Sequence, residues 1–155
     1  MVGIYDEDMT PALAQEFGVA IERFVEIAGR PWTLFPSASR YQSDPEVDSP
    51  GWYVAGHPIQ VMIGFRGRSI VVATPKFHLD GPGALVIEPG EPSAEFDRVD
   101  MIWGEGLVPA LRAAQERRRR TFFYCTTCRT SVGPENRFQD RTCTGCASRY
   151  HGIVF

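Results

Sequence analysis

In TPALAQEFGVAIERFVEIAGRP, apolar side chains return every three or four positions: Leu13, Phe17, Ile21 or Ala20, Phe24 and Ala28. That period predicts a helix over about 11–28 with one face turned to a core. Thr10 can accept from the unpaired N–H groups at its start, Pro11 suits the first helical position, and Gly29 with Pro31 supplies the stop. Asp6, Glu7 and Asp8 lie near the positive end of its dipole.

The period then changes to two. WTLF (32–35) reads as a short strand, and the polar, turn-rich stretch 37–51 reads as an exposed loop. GWYVA (51–55), IQVMIGFR (59–66) and SIVVAT (69–74) follow as strands. In the middle one Ile59, Val61, Ile63 and Phe65 alternate with Gln60, Met62, Gly64 and Arg66. KFHL (76–79) and ALVIE (84–88) flank the turn signal DGPG, EPGEPS (88–93) is another loop, and FDRVDMIW (96–103) is the final strand. A second helix is expected over LVPALRAAQERRRR (107–120), with Leu107, Ala110, Leu111 and Ala114 on one side and cations in its last turn. The fold class is therefore α+β: an antiparallel sheet of about five strands packed with a helix, then a helix and a small C-terminal unit. The expected organisation is an α+β domain over 1–104, a connecting helix over 105–120 and a cysteine-bearing unit over 121–155.

Composition leaves this picture intact. A 43% hydrophobic and 23% charged chain of 155 residues with eighteen aromatics can build a core. No apolar run approaches the length of a membrane span, and MVGIYDEDMT carries acids where a secretory signal carries positive charge. A cytoplasmic location with no membrane contact is the expectation, and in such a reducing compartment paired cysteines favour metal over disulfides. Charge does change the picture. Residues 117–155 hold eight arginines against Glu135 and Asp140, a net of +6, while the first 116 residues carry −9. Two surfaces of opposite sign predict two kinds of contact.

All four cysteines fall in YCTTCRTSVGPENRFQDRTCTGC (124–146), as two C-x-x-C pairs: Cys125 with Cys128, and Cys143 with Cys146. A C-x-x-C turn places two sulfurs on one side of a tight bend, and two such turns complete a tetrahedron of soft donors, so Zn2+ is the expected cofactor. The segment is poor in apolar residues and needs such a staple. A redox pair would require one C-x-x-C at a strand–helix junction, not two pairs. An iron–sulfur cluster uses the same ligand count, but two matched knuckles favour zinc. Four thiolates leave no open position for catalytic water. His151, five residues past Cys146, reads as a neighbour of the site rather than a ligand. The stretch RTFFYCTTCRTSVGPENRFQDRTCTGCASRYHGIVF resembles a zinc ribbon, with GIVF (152–155) as a closing strand. Its pair spacing, preceding helix and Tyr150 are similar to the ribbon of the Nudix-group NADH pyrophosphatases. No Arg-Glu-x-x-Glu-Glu run accompanies it, so the resemblance implies the metal ligands and nothing catalytic. A treble clef, with the second pair opening a short helix over CASRYH, is the alternative local fold.

The arginines give the functional expectation. Arg117, Arg118, Arg119, Arg120, Arg129, Arg141 and Arg149 are candidate contacts for a partner. Four thiolates around Zn2+ carry −2 and reduce the local charge to +4. A protein-interaction or assembly module is the leading reading; nucleic-acid binding by the basic unit, with aromatics such as Phe122, Phe123, Tyr124 and Tyr150 as stacking surfaces, is the alternative. A third reading is a small hydrolase or transferase using His78 and Asp80, which would share one face of a strand. Against an enzyme, His57, His78 and His151 are scattered, and no phosphate-loop, nucleophile-elbow or metalloprotease motif occurs.

Overall fold

The computed structural model of the chain describes residues 7–35, 52–56, 58–79, 85–90, 94–99 and 103–152, with the side chains of Leu79, Leu85, Val86, Trp103 and His151 outside that set. The expected loop at 37–51, the DGPG turn, His57, Asp80 and all but Gly152 of the closing strand expected at 152–155 lie outside the described residues.

The N-terminal apolar face forms through Leu13, Phe17, Phe24 and Ala28, but on two helices rather than one. Ala20 and Ile21, expected on that face, are both exposed because they lie at the start of the second helix. α1 spans Thr10–Glu16 and α2 spans Ile21–Ala28. Gly18 adopts φ +64°, a left-handed conformation that a helix cannot contain, and Ala20 is extended before α2 begins. The apolar face survives the break, because the rings of Phe17 and Phe24 stack with centroids 5.9 Å apart. Thr10 is buried as the first helical residue instead of capping from outside. Asp8 takes the capping role: its Oδ1 accepts from the Thr10 backbone N–H at 3.0 Å and from the Thr10 hydroxyl.

The sheet runs in the order β1-β2-β3-β4-β7 and every neighbouring pair is antiparallel. Its strands are β1 Trp32–Phe35, β2 Trp52–Ala55, β3 Val61–Arg66, β4 Ser69–Ala73 and β7 Ala94–Asp97. Between β4 and β7 the chain makes a hairpin, β5 Pro75–Leu79 with β6 Leu85–Pro89, in register Lys76↔Glu88, Phe77↔Ile87 and His78↔Val86. The expected last strand at 96–103 is shifted to 94–97. Asp97 then accepts from the Val99 N–H at 2.9 Å, and a π-helical turn, Trp103–Leu107, leads into α3, Val108–Arg119.

Both faces of the sheet are covered, so alternation sorts residues between two cores rather than between core and water. Trp32, Val61, Ile63, Ile70 and Val72 meet Leu13, Phe24 and Leu111 of the helices. On the opposite face Trp52, Val54, Met62, Val71 and Ala73 pack with Ile87 of the hairpin. Met62, expected opposite the core face, is therefore fully buried. Gly64 is required there: a Cβ would stand 2.7 Å from the Trp52 ring. Among the described residues no helix is long and apolar enough to cross a membrane.

Candidate metal centre

Beyond α3 the chain forms two short hairpins and a helix. β8 (Phe123–Tyr124) pairs with β9 (Ser131–Val132), and β10 (Arg137–Gln139) pairs with β11 (Thr142–Cys143). α4, Thr144–His151, follows directly. The second cysteine pair thus opens a helix, as in the treble-clef alternative, and Gly152 ends that helix with φ +66°.

Each pair is shaped by its own backbone. In the first, the Cys125 N–H donates to the Thr130 carbonyl at 2.9 Å and the Arg129 N–H donates to the Cys125 carbonyl at 2.8 Å. In the second, Cys143 caps α4, its Sγ accepting from the Cys146 N–H at 3.4 Å. The hairpins are joined by the Cys143 N–H, which donates to the Cys125 Sγ at 3.4 Å, and by the Thr126 N–H, which donates to the Arg141 carbonyl at 2.9 Å.

The result is a cluster in which all four Sγ atoms lie within 4.8 Å of one another. Cys125 and Cys146 are 3.8 Å apart, Cys128 and Cys143 4.0 Å. A tetrahedron with metal–sulfur bonds of about 2.3 Å has sulfurs about 3.8 Å apart, whereas a disulfide needs about 2 Å; all four are free thiols. Cys125, Cys143 and Cys146 are buried and Cys128 is exposed. Phe123 and Val132 are the apolar residues packed with them. The donors fit a soft divalent ion. Backbone N–H groups, that of Cys128 foremost, bring the Cys125 thiol down to about 6 against the opposing effect of burial. Burial first, then the neighbouring sulfurs, push Cys146 up to about 12. Sulfurs this close could ionise together only with a cation among them.

The arginines divide into three groups. Arg118 is 3% exposed, buried by contacts within the chain. Its Nε donates to the Ile59 carbonyl at 2.9 Å, its Nη2 pairs with Glu135 Oε1 at 2.5 Å, and its guanidinium lies 4.7 Å from the Phe77 ring centre and 5.0 Å from that of Phe122. Buried in this way, Arg118 faces the chain's own residues and not the surface. The Glu135 side chain is 6% exposed and sits on the 3-10 turn Pro134–Asn136, so this pair links the cysteine unit to the last turn of α3. A Cβ at Gly133 would run into Glu135 Oε1 and Arg118 Nη2, so a larger residue there would have to shift the pair. No local spacing in the sequence joins residues 118 and 135, and the pair was not legible there. Arg117, Arg119 and Arg120 also meet neighbours: the Thr74 hydroxyl at 3.3 Å, Gln60 Oε1 at 2.6 Å and Glu116 at 4.0 Å. Arg129, Arg141 and Arg149 are exposed on the cysteine unit, with Tyr124 (55% exposed) and Tyr150 (62%). Arg137 lies 4.5 Å over the Phe123 ring, and with Tyr124, Asp140 and Arg141 it borders a hollow of about 370 Å³. His78 meets Glu88 across the hairpin at 3.2 Å.

No protein-family model, no curated protein and no solved structure matches the chain. The likeness to the NADH pyrophosphatases thus has no support beyond the four-cysteine cluster itself.

Proposed function

We propose that the protein is a zinc-ordered interaction module. One Zn2+ is held by Cys125, Cys128, Cys143 and Cys146, as a closed and structural ion, and it orders a surface that meets a protein partner. The observation that carries this reading is a tetrahedral-sized sulfur cluster that is also most of the unit's interior, Phe123 and Val132 being its apolar companions. Arg118 and Glu135 neutralise one another inside, so the +4 of the metal-loaded stretch 117–155 is carried by its other side chains, of which Arg129, Arg141 and Arg149 stand exposed on the cysteine unit with Tyr124 and Tyr150. Arginine and tyrosine are residue types enriched where proteins meet, and an acidic partner surface complements them.

Nucleic acid is the second reading. It is favoured by one specific arrangement, Tyr124 beside Arg137 and Arg141 at the hollow, which pairs an aromatic ring with guanidinium groups as unpaired bases require.

Native mass spectrometry of protein purified without chelator is expected to show one Zn2+ per chain, and a metal-free mass with an intact fold ends the zinc reading. Metal uptake releases protons, so zinc is retained less firmly at about pH 5 than at about pH 8. Crosslinking in the native host, comparing wild type with an Arg129→Glu, Arg141→Glu, Arg149→Glu variant, tests the surface. Loss of a protein partner with zinc retained supports the first reading. Loss of salt-sensitive single-stranded RNA binding supports the second, and unchanged contacts remove both.

A further inference from the structure

The hollow of about 370 Å³ on the cysteine unit is at the small end for a binding site, with room for one side chain rather than an extended molecule. Arg137 of β10 and Arg141 of the turn into β11 line it, with Asp140 as its acid. The Arg137 guanidinium lies 4.5 Å from the centre of the Phe123 ring. Stacking of this kind fixes the plane of the group and uses none of its N–H donors. Among the described residues, the side chains of Arg137, Arg141 and Asp140 form no hydrogen bond or ion pair. Two cations against one acid leave this lining with one positive charge in excess. Its frame is also held. The Thr126 N–H and hydroxyl both donate to the Arg141 carbonyl, at 2.9 and 3.3 Å, and Arg137 stands in register with Cys143.

We propose that this hollow anchors an acidic segment of a protein partner. A Glu or Asp carboxylate of the segment enters between Arg137 and Arg141, a neighbouring backbone N–H donates to Asp140, and apolar atoms lie on Tyr124. The anchor rests on the protein-interaction reading and adds Arg137 to the arginines that carry it. A guanidinium already held in its plane loses little freedom when a carboxylate docks, the condition under which one residue can dominate an interface. Two features favour acidic protein over nucleic acid here. The Phe123 ring is already covered by Arg137, so Tyr124 alone offers an open ring at the hollow, where a single strand needs successive platforms. Asp140 repels a run of phosphates, yet accepts from a peptide N–H.

The test is an NMR titration of the full, zinc-loaded chain at low salt with a blocked peptide of alternating Glu and Leu, its Gln-for-Glu counterpart and a short oligouridylate. The Glu peptide is expected to bind saturably, shifting the Arg137 Nε–H and the amides of Thr126 and Arg141. It should bind at least about fivefold more tightly than the Gln peptide. Arg137→Met, which keeps an apolar cover over Phe123, should weaken it about tenfold, while Lys76→Met on the β5–β6 hairpin leaves it unchanged. Absence of saturable shifts, equal binding of the Gln peptide, or shifts confined to other surfaces overturns the proposal. Tighter binding of the oligouridylate at the same resonances overturns it in favour of nucleic acid. Zinc content and circular dichroism are recorded on both variants. Should Arg137→Met lose its zinc, the wild-type chain decides alone: an Arg137 Nε–H that the Glu peptide does not shift overturns the proposal. The anchor also fails separately from the reading beneath it. Unchanged peptide affinity in Arg137→Met removes the anchor, and the reading stands if the Arg129→Glu, Arg141→Glu, Arg149→Glu variant still loses its host protein partner.

Discussion

Single residues at the start of the chain join elements far apart in sequence. Asp8 ties the start of α1 to the start of β1: its Oδ1 also accepts from the Trp32 N–H at 3.4 Å, and its Oδ2 pairs with Arg30 at 2.5 Å. Burial works against ionisation, but the hydrogen bonds from Thr10, Arg30 and Trp32 outweigh it and hold the carboxyl below its ordinary 3.8. A lowered folded value means that the unfolded chain takes up the proton first as pH falls. The contribution is thus fully present above 3.8 and is lost as pH drops through the lower folded value. Asp8→Asn is expected to be less stable than wild type near neutral pH, with the gap narrowing in acid; urea midpoints over about pH 6 to about pH 2 check it, and a pH-independent gap contradicts it. Sequence placed Asp8 near a helix dipole, which is local information. Its partners Arg30 and Trp32 come from the turn into β1, which no spacing rule supplies.

At the scale of elements, hydrophobic period was the reliable guide and its interruptions were not. Leu13, Phe17, Phe24 and Ala28 all face the core as their spacing requires, yet Gly18 divides their helix. A glycine inside a helical pattern is tolerated often enough that its presence did not dictate a break. Nothing lies within 4 Å of a Cβ built on Gly18, so the effect of a side chain there is purely conformational. Gly18→Ala should cost about 1 kcal/mol, the usual penalty of a left-handed alanine, read as a shift in the urea midpoint. A gain in stability would mean that α1 and α2 prefer to fuse. The second core was hidden for another reason. Alternation in β3 reveals two faces but not that the β5–β6 hairpin folds back over one of them, and that depends on β7 returning to β4. The four cysteines, by contrast, were legible from spacing alone, because both halves of the ligand set are local turns.

At the scale of the molecule, the Arg118–Glu135 pair is a buried charge pair between α3 and the cysteine unit. Removing one partner leaves the other charge buried, so Arg118→Ala is expected to destabilise by about 3–5 kcal/mol. Replacing both by apolar residues, Arg118→Met with Glu135→Leu, should recover most of that loss. Urea unfolding of the two variants with zinc content recorded alongside checks this: equal destabilisation of both would show that the pair acts through something other than its charge. Burial also governs how the cluster comes apart. Three sulfurs are shielded and Cys128 faces solvent, so an alkylating agent or an oxidant arrives at one atom before the rest. Cys128, whose Sγ also lies 3.1 Å from the Thr130 hydroxyl, is thus the thiol at which chemical attack on the cluster is expected to begin.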